Sequence, residues 1–377
     1  MIARKEGKAL AVRVVGLDQP HLLEQYWDMA HAQSLEEFES IVSRLQMPVF
    51  NTIYADRDGH IMYLYGGRVP RRPQGDWNYW RGVIPGQTSE TLWTETLEYA
   101  ELPKLIDPET GWVQNANDPP WTSTIPQVLD PSDYPVYLAP NNMPFRPQRS
   151  ARMLMEDAQI SFEDLVKYKH STRVESADRM LDELVAATAK YGTRAGKEAA
   201  EVLKEWDRKT DAESRGAVLY LFWASMLGRE DFAVPWSEKD PLSTPNGLAN
   251  PREVVQKLEA AAAEVEEKYG RIDVPWGEVV RLRYATFDLP ANGGPSDLGI
   301  FRQLAIVEDS DGKFKAVAGE SYYAAVEFGP EVRAEALMSY GNASQPGSPH
   351  RGDQLELFVK KQLRPVWRTR QAIEANL

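Results

Sequence analysis

Residues 111–121, GWVQNANDPPW, place two asparagines, an aspartate, a proline pair and two tryptophans in one short stretch. Asn-Asp-Pro-Pro cannot continue a helix or a central strand, because proline has no backbone donor and restricts the residue before it. The stretch therefore reads as an ordered loop that holds polar side chains between apolar anchors. Asn115 and Asn117, with Asn292 and Asn342 elsewhere, offer neutral amide donors, and the chain has arginines to set beside them. Such donors suit stabilisation of a developing oxyanion. They suit recognition of a polar ligand equally well, and Asn and Asp also cap plain structural turns. Composition leaves these readings open.

No nucleophile accompanies the donors. The chain has no cysteine, which excludes disulfides, thiolate metal sites and a cysteine nucleophile. It has no GxSxG elbow, no HExxH and no glycine-rich phosphate or dinucleotide fingerprint. The five histidines, His21, His31, His60, His170 and His350, form no pair at metal-ligand spacing. His350, in GSPHRGDQ, reads as a buried or half-buried turn histidine bonded to backbone, and Asp207 as a local cap. Asp56-Arg-Asp-Gly59 looks superficially like a calcium loop but lacks its later ligands, so it reads as a hairpin turn.

The formal charge is −13 over 377 residues. That disfavours nucleic acid and anionic membrane surfaces as partners. No run of about 18 apolar residues is present, so no membrane span is expected. The first residues, MIARKEGKAL, carry basic side chains without a following apolar core and do not read as a signal peptide.

Several elements must position the loop. Residues 9–16 read as a strand, 20–32 as a helix with Leu22, Leu23, Tyr26, Met29 and Ala30 on one stripe, and 35–45 as a helix capped by Ser34 and Glu37. Residues 50–54 and 60–65 read as a hairpin. From 66 to 147 the chain is rich in proline, tryptophan and glycine and lacks helical period. Helices are expected at about 150–155, 162–168, 177–190, 195–206, 217–227 and 251–269, the last with proline in its first turn. Strand patterns return at 281–289, 301–308 and 316–328, and 360–373 reads as a short helix. The order predicts an α+β chain in which the two ends share a sheet and the helices are inserted between its halves.

The segments Asn51-Thr-Ile-Tyr-Ala-Asp-Arg-Asp-Gly-His-Ile61, Gly66-Gly67-Arg-Val-Pro-Arg71, Glu101-Leu-Pro and Asp107-Pro-Glu-Thr-Gly-Trp-Val-Gln-Asn-Ala-Asn117, followed by Ser339-Tyr-Gly-Asn-Ala-Ser-Gln-Pro-Gly-Ser-Pro-His-Arg-Gly-Asp-Gln354, occur in one order. In that order they resemble the β-subunit of penicillin acylases, a family that includes acyl-homoserine-lactone acylases and other N-terminal-nucleophile amidases. Asp107 departs from the family's asparagine at its position. The resemblance covers nearly the whole chain. It implies an αββα-type sandwich of antiparallel sheets, present here in part. The regions are a β-rich part with the loop at 1–150, a helical region at 151–275 and a β-rich return to the sheet core at 276–377.

Family members cleave themselves to expose a serine whose own α-amine is the base, which needs no histidine. By resemblance Asn117 is the side-chain donor to the oxyanion. Arg149, or else Arg146, is the arginine that orients it near substrate, and Trp27 and Phe50 are candidates for the acyl-binding wall, with an ordinary core place as the competing reading. The substrate is then a small N-acyl amide such as an acyl-homoserine lactone or a β-lactam side-chain amide. The chain opens on Met1 rather than serine. The nucleophile, its backbone oxyanion donor and most of the family's calcium ligands are thus expected on a complementary chain that also carries the α-subunit, leaving no cofactor or metal here. The resemblance implies a periplasmic or extracellular place, and the absence of a leader implies a cytoplasmic one if the chain is made as written. Missing strands would leave open sheet edges that invite association. A non-catalytic binding or assembly module on the same fold is the competing function.

Overall fold

The structure, a computed structural model, describes residues 3–5, 7–17 and 20–377. It divides into two compact units, 1–141 and 142–377.

In the first unit, Ser34 accepts the Glu37 N–H at 3.2 Å and starts the helix Leu35–Val42. That helix buries Phe38, Ile41 and Val42, and the Phe38 ring lies 4.5 Å from Tyr54 on the sheet beneath. The sheet is antiparallel: Thr52–Ala55 pairs with Ile61–Leu64, which pairs on its other side with Lys104–Ile106. The Asp56 carboxylate closes the hairpin by accepting the N–H groups of Asp58 and His60 and the Tyr54 hydroxyl. Its oxygens are thereby engaged as a turn cap. The strand expected over 9–16 is shorter, since its partner Ala3–Lys5 offers ladder positions only to Lys8–Leu10. Met1 and Ile2 lie outside the described residues.

The helix expected over 20–32 forms at Leu22–Met29, but only part of its apolar stripe packs inward: Met29 meets the core while Leu23 and Tyr26 turn outward. Gln25 is its one buried side chain, bonded to the Ile41 carbonyl and the Met47 N–H. Leu23, Tyr26 and Trp27 are exposed.

The second unit is built on one core shared by helices and strands. Glu175–Tyr191, Arg194–Glu205 and Pro251–Tyr269 surround Ala217–Ser225, an apolar helix buried on nearly every face. Gly216 begins that helix at φ 97°, and a Cβ there would stand 2.8 Å from Trp206 Cβ. Only glycine adopts that backbone against that neighbour without strain. Trp223 and Trp276 are fully buried, and each indole N–H reaches a backbone carbonyl, Val254 and Gly293 respectively. The helix expected near 150 starts earlier, at Phe145–Glu156, because Pro147 falls in the first turn, where a backbone donor has no helical partner anyway.

Val280–Tyr284 and Phe287–Pro290 form a hairpin where one strand was expected, turning at Ala285 with φ 53°. Leu304–Glu308 pairs antiparallel with Phe314–Gly319, which joins Val280–Tyr284 through a two-position parallel contact. Residues 316–328 split between this sheet and a second one, Tyr322–Glu327, Arg333–Met338 and Arg364–Pro365. The last of these replaces part of the helix expected over 360–373, leaving Arg370–Glu374 helical. Among the described residues every sheet lies within one unit. The expectation that the two ends share a sheet is thus corrected: the late strands satisfy their ladders with sequence neighbours in hairpins. No helix among the described residues is long and apolar enough to cross a membrane.

Candidate active site

The 111–121 loop is organised by side chains that bond to its own backbone. Asn117 takes φ 63°, the left-handed region that asparagine tolerates better than most residues, and its side chain lies on the exposed surface of the first unit. The residues around it are fixed. The Asn117 N–H donates to Asn115 Oδ1 at 3.1 Å, and the Asn115 amide donates to the Asp118 carbonyl. Asn115 Oδ1 also accepts from Asn51 Nδ2 at 3.0 Å, and Asn51 Oδ1 accepts the Gly66 N–H at 2.8 Å. A continuous chain of amide contacts therefore runs from Gly66 to Asn117. Gly67, next along, has φ 59°, and a Cβ there would collide with the Met47 carbonyl. Here the glycine pair allows close approach of two backbones.

Asp118 is the buried counterpart of Asn117, 4% exposed. Its carboxylate accepts the Ala116 N–H at 2.7 Å, Gln114 Nε2 at 2.8 Å and the Thr122 hydroxyl at 2.5 Å. Burial pushes the Asp118 carboxyl above its ordinary value, and the bonds from Thr122, Ala116 and Gln114 pull it back only in part. Trp121 is buried in the first unit's core and anchors the loop's far end. The arrangement fixes the backbone on both sides of Asn117, an exposed residue.

Asp107, at the position where the family carries asparagine, has φ 46°. Its carboxylate accepts the Ile61 N–H at 2.8 Å and contacts His60 Nδ1 at 2.7 Å. The substitution thus keeps a residue that tolerates the left-handed turn and adds a charge partner for His60.

The other expected site residues fall as follows. Trp27, 68% exposed, lies over His31 with ring centroids 4.5 Å apart, and Phe50 is 52% exposed. Neither is a core residue of the first unit. Arg146 and Arg149 both lie on Phe145–Glu156 in the second unit. Arg146 Nε donates to Ser296 Oγ at 2.8 Å. Arg149 stands 4.0 Å from the fully buried Glu175 carboxylate. Asn292 and Asn342 are structural: Asn292 ties the Ala212 N–H to the Val359 carbonyl, and Asn342 accepts from Gln354. Asp207 caps the Lys209 N–H, as expected of it. His350 is corrected: it is exposed and pairs with Asp353 at 3.0 Å rather than with backbone, because the Ser348 turn leads its ring outward beside that carboxylate. Among the described residues no group of three or more acidic or histidine side chains converges as a metal site, so no step is assigned to calcium.

The sequence marks Asn51 and Gly66 only within a motif and gives no separate signal for Gln114 or Glu175, whereas Asp118 does the turn capping expected of the loop's aspartate. The signal available for the first two was their place in the same ordered pattern as Asn117.

A model of the penicillin amidase family matches residues 1–375. The chain belongs to the penicillin amidase family. It is 28% identical to the acyl-homoserine lactone acylase PvdQ of Pseudomonas syringae pv. syringae (strain B728a), across 98% of this chain and 51% of that protein. It is likewise 28% identical to the PvdQ acylase of Pseudomonas putida, across 98% and 50%. The aculeacin-A acylase of Actinoplanes utahensis is 23% identical, across 98% and 51%. This family chain therefore spans about half the length of the curated relatives it matches. Among solved structures, a thermostable penicillin G acylase from Alcaligenes faecalis superposes with a TM-score of 0.59 over 94% of this chain and 71% of that one, at 17% identity. That likeness shows the fold, an α+β N-terminal-nucleophile hydrolase with largely antiparallel sheets.

Proposed function

We propose that this penicillin amidase family chain is the asparagine-bearing half of an N-acyl amidohydrolase. Its substrates in this reading are small N-acyl amides such as acyl-homoserine lactones or β-lactam side-chain amides. The serine nucleophile belongs to the part of the relatives that this chain does not span. Its Oγ attacks the acyl carbon while its own α-amine takes the hydroxyl proton. The carbonyl electron pair moves to oxygen, and the Asn117 amide donates to that oxyanion. The C–N bond then breaks, the amine leaves with the proton, and water releases the acid from the acyl ester. By the same resemblance, Arg149 or else Arg146 is the orienting arginine of this reading. In this reading the place is periplasmic or extracellular.

The observation that carries this reading is the clamp on Asn117: an asparagine at positive φ, with Asn115, Asn51 and Asp118 fixing the backbone around it. A turn that only needed capping would not require a second asparagine from 64 residues away. Need for a complementary chain is supported by unpartnered apolar surface in the first unit. Thr52–Ala55 is an edge strand, and Val49, Phe50 and Ile53 beside it are exposed, as are Leu23 and Trp27 on the outward helix. Trp27 and Phe50 serve in this reading as contact or acyl-wall residues completed by the other chain.

The test is complementation. This chain, co-expressed with a segment carrying the α-subunit and the terminal serine, is expected to hydrolyse a chromogenic N-acyl amide, and the chain alone is not. Undiminished turnover by a complemented Asn117→Ala variant would overturn the assignment, as would hydrolysis by the lone chain.

A further inference from the structure

The second unit contains a polar cleft of about 720 Å³, the size of a small-molecule site. Helix Phe145–Glu156 gives it Arg149 and Arg152, three apart and hence on one face. The first turns of Glu175–Tyr191 give it Glu175 and Arg179, and Lys167 and His170 come from the opposite wall's helix end. Its lining carries seven lysines and arginines against five aspartates and glutamates, a surplus of two positive charges in a chain of net charge −13.

The surplus centres on Glu175. This carboxylate is fully buried, and three guanidiniums crowd it: Arg179 at 2.8 Å, Arg152 at 3.1 Å and Arg149 at 4.0 Å. Arg152 and Arg179 are further held by the Leu242 carbonyl, and Arg179 by Gln148. Arg149 has no hydrogen bond; its Nε is buried without a partner and its side chain is 17% exposed. One carboxylate cannot neutralise three guanidiniums. A largely buried guanidinium with an idle donor is costly, because its desolvation is offset only by a carboxylate 4.0 Å away that it shares with two other arginines. His170, 4% exposed in the same lining, adds no positive charge to it. Its Nδ1 contacts Arg302 at 3.2 Å, its Nε2 has no partner, and burial together with Arg302, Lys361 and Lys169 pushes its pKa down to about 3.

Among the described residues the lining's other cations, Lys167 apart, are already matched, while its carboxylates Glu156 and Asp157 form no ion pair. Asp178 is held by Arg173 and Arg208, and Asp211 by Lys361 and Thr172. The uncompensated positive charge is therefore local to Arg149 and Lys167. Guanidinium forks match the geometry of phosphate and carboxylate oxygens.

We propose that this cleft is a binding site for a small phosphate-type oxyanion, with Arg149 as its principal donor, Arg152 and Arg179 as the fixed positive field behind it, and Lys167 at its rim. All the residues named for this site lie in the second unit, and its test reads binding rather than turnover.

The test titrates inorganic phosphate into the full chain at constant ionic strength, with chloride and acetate as controls, following the melting temperature and the arginine Nε–H resonances. Phosphate is expected to raise Tm and shift the Arg149 signal, and chloride and acetate are not. Arg149→Met should weaken the phosphate response tenfold or more. In phosphate-free buffer it should melt at the same temperature or higher, because it removes an unpaired buried charge. A purely structural Arg149 predicts the reverse, a lower Tm without phosphate. The exposed Lys167→Met, which leaves the fold untouched, should also weaken the response. Equal responses to phosphate and chloride would overturn the proposal. So would unchanged phosphate binding in both variants.

Discussion

Asn51 Nδ2 lies 3.0 Å from Asn115 Oδ1, a bond between side chains 64 residues apart. It ties the end of the first hairpin to the loop that carries Asn117, since the same Asn115 oxygen accepts the Asn117 N–H. Removing Asn51 leaves the Gly66 N–H without its acceptor and halves the load on Asn115. A half-buried hydrogen bond of this kind contributes about 1 kcal/mol, and a stranded partner costs about 1–3 kcal/mol. Asn51→Ala is therefore expected to lower stability by about 1–2 kcal/mol. Amide exchange at Asn117 and Gly66 should quicken more than in the sheet strands. Uniform exchange changes across the first unit would show that Asn51 acts on the whole unit rather than on the loop.

If Asn117 donates to an oxyanion, its loss acts on the transition state more than on substrate binding. In the complemented acylase, Asn117→Ala should lower kcat by about 100- to 1000-fold, with KM changed far less. Asn115→Ala should give an intermediate loss, since Asn117 keeps its amide but loses the fixed backbone behind it. Steady-state kinetics on one N-acyl substrate checks both. A KM increase with unchanged kcat would move Asn117 from catalysis to substrate binding.

The helices and the loop were legible in the sequence for the same reason: their signals are local. Ser34 with Glu37, Ser161 with Asp164 and the proline at Pro251 each mark a helix start within a few residues, and Asn-Asp-Pro-Pro marks a turn by itself. What failed was tertiary. The stripe of Leu22, Leu23, Tyr26, Met29 and Ala30 has helical period whether its members face a core or, as Leu23 and Tyr26 do, solvent, and period alone does not say which. The turn at Ala285 has no glycine, proline or asparagine to announce it, so two strands read as one. The Asn51–Asn115 bond and the approach of Arg149 and Arg152 to Glu175 join residues separated by tens of positions, and no spacing rule reaches that far.

The exposed apolar residues of the first unit make a prediction about association. Leu23 is 79% exposed and Val49 is 58% exposed, alongside the open edge at Thr52–Ala55. Contiguous apolar surface of this sort marks an interaction site or an aggregation liability. Replacing Leu23 and Trp27 with serine is expected to reduce self-association of the lone chain and to weaken capture by the complementary segment, both read by sedimentation velocity. Neither side chain is in the core, so the circular dichroism melt should shift little. A large fall in Tm without a change in association would place these residues in the fold instead.

The described histidines His60 and His170 should titrate in opposite directions. The Asp107 carboxylate, 2.7 Å from His60 Nδ1, holds that imidazole above its ordinary value, and Asp107 is in turn held below the usual carboxylate range by the Ile61 N–H and His60. The contribution of His60 is present below an unfolded value near 6.5 and is lost as pH rises through its higher folded value. That of Asp107 is present above about 3.9 and is lost as pH falls through its lower folded value. The pair is thus strongest between those limits, and because both side chains are well exposed its weight in stability is small. His170, buried beside Arg302, is neutral down to about 3. Proton–carbon NMR of the imidazole rings should therefore show His60 titrating above 6.5 and His170 silent between pH 5 and 8. Asp107→Asn should bring His60 back toward its ordinary value and leave His170 unchanged. A His60 midpoint indifferent to Asp107→Asn would show that the close contact does not persist in solution.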